Sequence, residues 1–164
     1  MKISDTAIRY IVCAIVAVLL IGLGYASFAS KKQDEQFLAD QATYNQSLQY
    51  LQEEDFGQAI LLLQQVEINN SNNAIVKYYL GLAHANTGEW SKATMEFQTV
   101  LDLNPYKVKD GVFMIQFANI LVDAKKLDQA KVVLEHCQTL PNPGQMPDYQ
   151  EQINALLKRI SVGS

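Results

Sequence analysis

The residues of this chain able to do nucleophilic, acid–base or metal chemistry are few and scattered. Its two histidines, His84 and His136, stand apart rather than at metal-ligand spacing. Its two cysteines, Cys13 and Cys137, lie in an apolar run and in a predicted helix, so they form no disulfide framework. No glycine-rich loop that cradles phosphate and no nucleophile elbow occurs in the sequence. The chain is therefore not expected to be an enzyme, and neither a cofactor nor a metal site is expected. Cys137 reads as core filler, because a free thiol usually behaves as a small buried apolar group. His84 reads as a packed, hydrogen-bonded histidine and His136 as a semi-exposed one. Asn45-Gln46-Ser47 and Asn69-Asn70-Ser71 match the glycosylation acceptor pattern, which matters only in a eukaryotic secretory setting. A formal charge of −4 repels phosphate backbones, which argues against nucleic acid as a partner. What remains is binding through shape.

The elements that would carry such binding begin with an apolar segment. Tyr10 to Ser30 holds no charged residue over 21 positions, a length that spans a hydrocarbon core of about 30 Å as a helix. This predicts a single transmembrane helix at 10–30 after a short tail at 1–9. A cleaved signal sequence is the alternative, with Lys2 and Arg9 before the apolar run and Ser27-Phe28-Ala29 as a cleavage site. Lys2 and Arg9 on one side nearly balance Lys31 and Lys32 on the other. The likeness to a signal sequence tips the expectation toward a single-pass membrane protein whose remaining domain is extracytoplasmic. Residues 31–39 open a run rich in helix formers, read as a helical stalk.

Beyond the stalk, the chain reads as paired helices. In Ala74 to Pro105, Gly81 lets a second helix approach closely, with Ala93 as the small residue opposite. Phe97 and Val100 follow Ala93 at helical spacing and form an apolar stripe that one hairpin cannot bury alone. Gly88 is placed to end the first helix in the left-handed conformation, and Pro105 stops the second at Asn104. An earlier pair carries Ala59, Leu63 and Val66, turns near Glu54-Asp55-Phe56-Gly57, and has Thr43, Gln46 and Ser47 where the family resemblance given below implies larger apolar residues and a small one. Asn69 to Asn73 supply the next turn. A later pair carries Phe117, Ala118, Leu121, Leu127, Ala130, Leu134 and Cys137, with Lys125-Lys126 where a glycine would make the turn. After Pro141-Asn142-Pro143-Gly144, Asp148 to Glu151 have capping-box spacing and open a last helix. That helix has Ile153, Leu156, Leu157 and Ile160 on one face and Glu151, Lys158 and Arg159 elsewhere.

Leu80, Gly81, Gly88, Trp90, Ala93, Phe97 and Pro105 stand where the tetratricopeptide repeat (TPR) places its defining residues, and the chain resembles that family. Ala59 to Ala93 spans its 34-residue period, whereas Ala93 to Ala130 spans 37, placing three extra residues near Tyr106 to Asp110. The resemblance implies an all-α fold, a short α-solenoid of about three hairpins at 40–73, 74–107 and 111–144 with a capping helix at 148–161. These form one domain at 40–164. It further implies that Trp90, like Phe56, packs in the core, and that a protein or peptide segment lies in a groove lined by the first helices. Carried over residue by residue, that groove is Tyr44, Leu48, Leu51, Gln52, Tyr78, Leu82, Asn86, Ile115, Asn119 and Asp123. Members that grip a terminal carboxylate use lysine and arginine there, and this chain has neither at those places. Leu48, Leu82 and Ile115 have packing between hairpins as their alternative role. The function implied is a membrane-anchored scaffold beside the bilayer, an accessory subunit of an envelope or secretion assembly. Homo-oligomerisation through the polar first helix is the structural alternative.

Overall fold

The computed structural model describes residues 18–19 and 34–162. Among these residues no helix is long and apolar enough to cross a membrane. This corrects the expectation of a single-pass membrane protein with an extracytoplasmic repeat domain. The six α-helices between Phe56 and Val162 have 13 or 14 residues each. They are about 20 Å long and amphipathic, built to cover a core rather than to span about 30 Å of hydrocarbon. The segment 10–30, on which the expectation rested, lies outside the described residues except for Val18 and Leu19.

The chain divides into two compact units, Met1–Ala42 and Thr43–Ser164. In the first, residues 34–42 are helical and form the start of α1 (34–52). The second holds the rest of α1 and then α2 (Phe56–Asn69), α3 (Ala74–Asn86), α4 (Trp90–Leu103), α5 (Gly111–Asp123), α6 (Leu127–Thr139) and α7 (Tyr149–Val162). Helix α3 packs on α2 and α4, α5 on α4 and α6, and α7 on α5 and α6.

Local chemistry sets these boundaries. The Asp55 carboxylate accepts the Gln58 N–H at 3.1 Å to open α2, and Asn73 accepts from Ile75 at 2.9 Å and Val76 at 3.3 Å to open α3. Asp110 opens α5 through the Phe113 N–H at 3.1 Å. Such caps satisfy donors that the first helical turn leaves unpaired. The three additional residues of the last period wind into a 3-10 turn, Pro105–Lys109, capped by the Asn104 side chain. The three turns within the hairpins, α1–α2, α3–α4 and α5–α6, each use one left-handed residue, with φ of 59° at Glu54, 76° at Gly88 and 61° at Lys125.

Two apolar clusters result. Leu63, Val66, Val76 and Leu80 form the smaller one, with Tyr44, Leu51, Ile60 and Tyr79 packed against it. The larger joins Ala93, Phe97 and Val100 of α4 to Phe113, Phe117 and Leu121 of α5, Leu134 and Cys137 of α6, and Tyr149 and Ile153 of α7. The central hairpin is thus shared: Val76 and Leu80 of α3 lie in the smaller cluster, Tyr78 and Leu82 of the same helix pack against the larger one, and α4 belongs to the larger. Phe97 stacks on Phe113 with ring centroids 4.9 Å apart. The close approach at Gly81 is to this Phe97 ring, not to Ala93: a Cβ there would lie 2.6 Å from it. Ser47, expected as a misfit, is fully buried and donates its hydroxyl to the Tyr44 carbonyl at 2.6 Å. Half-buried Lys77 bridges three helices, pairing with Glu67 of α2 and lying 3.1 Å from Glu96 of α4. Burial pulls its ammonium toward neutrality, but the two carboxylates outweigh this and hold its pKa above the ordinary value.

Candidate groove between the first helices and the cap

The ten expected groove residues separate into distinct surroundings. Leu82, Asn86, Asn119 and Asp123 line one cleft of about 200 Å³, together with Ala85, Trp90, Gln116 and Ile120. A second cleft of about 340 Å³ is lined by Ile115, Gln116, Asn119, Met146, Gln152, Ala155, Leu156 and Arg159. Gln116 and Asn119 belong to both, so the clefts adjoin along α5 and are walled by α3 on one side and α7 on the other. Ile115 contributes little surface, being 2 % exposed. Tyr44 and Leu51 pack against the smaller cluster, whereas Leu48 is half-buried and Gln52 exposed.

Tyr78 sits between groove and core. Its ring lies 5.7 Å from Phe97 and 6.0 Å from Phe113, centroid to centroid. Its hydroxyl donates to the Gln116 Oε1 at 2.9 Å. Burial raises the phenol pKa, and the Gln116 contact only partly offsets that rise. Tyr78 therefore positions Gln116 as a neutral donor. Tyr44 rests edge-on to Tyr79 at 6.1 Å, with its phenol also raised by burial.

Arg159, placed by sequence away from any site, reaches this groove. Its Nη1 donates to Asn119 Oδ1 at 3.1 Å and its Nη2 to Asp123 Oδ1 at 2.6 Å. The capping helix thus brings to the groove an arginine that the first helices lack, and its charge is already met by Asp123. Helical spacing within α7 separates Arg159 from the buried face but says nothing about what lies beside it, so no sequence signal marks this pairing. Trp90 departs from its expected core role: it is half-buried and walls both the smaller cleft and a third, of about 470 Å³, with Gly88, Lys92, Asp123 and Lys125. Phe56, at the start of α2, is likewise half-buried.

The chemically able residues are engaged in structure. His84 is 2 % exposed, and its Nδ1 lies 2.5 Å from Glu89 Oε2. Hydrogen bonds from Lys92 and then His84 hold the Glu89 carboxyl below its usual pKa. Half-exposed His136 contacts the Val108 carbonyl through Nε2 at 2.7 Å. Cys137 is fully buried, its thiol pKa raised by burial, and its carbonyl accepts the Tyr149 hydroxyl at 3.1 Å. Burial also raises the Tyr149 phenol pKa.

Comparison with solved structures places this architecture. The Yersinia enterocolitica type III secretion chaperone SycD, in complex with a peptide of the translocator YopD, superposes with a TM-score of 0.63 at 15 % identity, over 75 % of this chain and 92 % of SycD. The TPR2B domain of yeast Sti1, in its complex with pHsp70, gives 0.61 at 14 % identity over 76 % and 98 %. The first TPR domain of Spaghetti (RPAP3), bound to the HSP90 peptide SRMEEVD, gives 0.62 at 14 % identity over 76 % and 94 %. At these identities the likeness is one of fold. No curated protein sequence matches the chain. The model of the tetratricopeptide repeat-like domain matches residues 6–149. With most of its length matched and paired helices stacked as described, the chain belongs to the tetratricopeptide repeat-like family.

Proposed function

We propose that the chain is a non-catalytic scaffold, with 40–164 as its interaction domain, that holds a protein or peptide segment along α3, α5 and α7. The observation that carries this reading is the pair of adjoining clefts sharing Gln116 and Asn119. Apolar walls from Leu82, Ala85, Ile120 and Leu156 alternate with the amides of Asn86, Gln116, Asn119 and Gln152. Apolar walls accept side chains, while amides both donate to and accept from a main chain. The capture of a YopD peptide by SycD and of SRMEEVD by Spaghetti supports this mode by likeness of fold.

The test uses exposed groove residues. Replacing Tyr78 would disturb Phe97 and Phe113, whereas Asn86 and Asn119 are exposed and their truncation leaves the core intact. The Asn86→Ala/Asn119→Ala variant is expected to capture its partner from source cells about tenfold less well, with unchanged helicity by circular dichroism. Capture equal to that of the unaltered chain sinks the groove assignment.

A further inference from the structure

The cleft of about 470 Å³ lies between two turns, reaching the α3–α4 turn at Gly88 and the α5–α6 turn at Lys125. These two residues hold the same left-handed place in their hairpins, at φ 76° and 61°, so the repeat itself sets the walls. Trp90 and Asp123 line this cleft and the smaller cleft of the groove, which makes the two continuous. Four charged residues line it, Glu89, Lys92, Asp123 and Lys125, and three of them are engaged. The Glu89 carboxylate meets Lys92 at 2.6 Å through Oε1 and His84 at 2.5 Å through Oε2. Asp123 accepts from Arg159 at 2.6 Å. Lys125 is exposed, and among the described residues its ammonium has neither an ion pair nor a hydrogen bond. The indole N–H of half-buried Trp90 likewise has no acceptor among them. An indole offers an apolar body and one donor to whatever lies beside it.

We propose that this cleft receives an aspartate or glutamate side chain of the segment held in the groove, its carboxylate on Lys125 and its neighbouring residue against Trp90, and so fixes the segment's register. The inference rests on the groove reading above. Charge complementarity selects the occupant: both carboxylates of the cleft are met by cations of the chain, and the one unmet charge is positive. A basic side chain is repelled there, and an amide has no charge to meet. The formal charge of −4 on the chain does not oppose this, because charges more than about 8 Å away are largely screened at physiological salt. A chain-terminal carboxylate fits less well. Its capture uses several converging donors, and this cleft offers one flexible ammonium and one indole N–H. A single exposed ion pair changes affinity by no more than about fivefold, and charge across an interface acts chiefly on specificity and register.

Trp90 is the only tryptophan of the chain, so its emission reports this cleft directly. The probe is a synthetic peptide of leucine, alanine and serine with two central aspartates, blocked at both ends and titrated against the full chain. A second peptide has asparagine in place of aspartate, and a third has asparagine and a free terminal carboxylate. The aspartate peptide is expected to shift the Trp90 emission and to bind about three- to fivefold more tightly than the asparagine peptide. That preference is expected to vanish in Lys125→Gln, to survive in Lys125→Arg and to shrink as salt rises. Circular dichroism checks that both variants fold. Equal binding of the aspartate and asparagine peptides, or a preference that survives Lys125→Gln, overturns the proposal; if Asn86→Ala/Asn119→Ala still weakens that binding, the groove stands without it. Equal binding of the aspartate and free-terminus peptides moves the carboxylate to the chain end and overturns the side-chain assignment. Binding of no peptide overturns the proposal, and an aspartate preference untouched by Asn86→Ala/Asn119→Ala overturns both it and the groove.

Discussion

Lys125 occupies the left-handed position that Gly88 fills in the central hairpin, with φ of 61°. For a residue with a Cβ this conformation costs about 1–2 kcal/mol, because the side chain crowds the following carbonyl. Lys125→Gly relieves that strain, while the greater freedom of glycine in the unfolded chain takes back about 0.4–1 kcal/mol. The expected net gain is about 0.5–1 kcal/mol, or a rise in Tm of about 2–4 °C by scanning calorimetry. An unchanged or lower Tm means that the Lys125 side chain contributes more where it lines the cleft beside Trp90 and Asp123 than its backbone costs. Glu54, at φ 59°, provides a second test of the same logic in the first hairpin.

At the scale of the helix pair, Gly81 decides how closely α3 and α4 approach. A Cβ at that position would lie 2.6 and 2.8 Å from two atoms of the Phe97 ring and 3.3 Å from the Glu96 Cβ. Phe97 is fully buried and stacked on Phe113, so it has no room to retreat. Gly81→Ala is expected to cost about 1–3 kcal/mol by urea unfolding, despite the better helix propensity of alanine. A loss under about half a kcal/mol would mean that the helices slide apart without strain. Gly81, Gly88 and Pro105 were legible in the sequence because each acts through the backbone, where residue type alone restricts the geometry. The side chains at the edges of the hairpins were not. Arg159 meets Asp123 only because of the angle at which α7 packs on α5, and Lys77 joins Glu67 to Glu96 across three helices. Such partners are far apart in sequence and leave no periodic trace. Ile115 shows the same limit: its repeat position left groove lining and packing between hairpins both open, and its 2 % exposure comes from neighbours far away in sequence.

The whole array depends on how its last open face is closed. Helix α7 places Tyr149, Ile153, Leu156 and Ile160 in the larger cluster, the first two fully buried, and the Tyr149 hydroxyl reaches the Cys137 carbonyl of α6. A solenoid needs such a cap because each hairpin has an apolar stripe on both sides. Burying each of these side chains contributes about 1.5–3 kcal/mol, so the four together approach the 5–15 kcal/mol that separates a folded domain from its unfolded chain. That total is an upper figure, since the unfolded chain already hides part of this surface. A chain ending at Asp148 is therefore expected to lose its cooperative thermal transition and to self-associate through the exposed face of α5 and α6, monitored by circular dichroism and light scattering. The aromatic stack of Phe97, Phe113 and Phe117 couples that face directly to α4, so the loss should spread into the central hairpin rather than stay at the end. If the truncated chain stays monomeric and melts within a few degrees of the full one, the cap serves the groove, through Arg159, more than the fold.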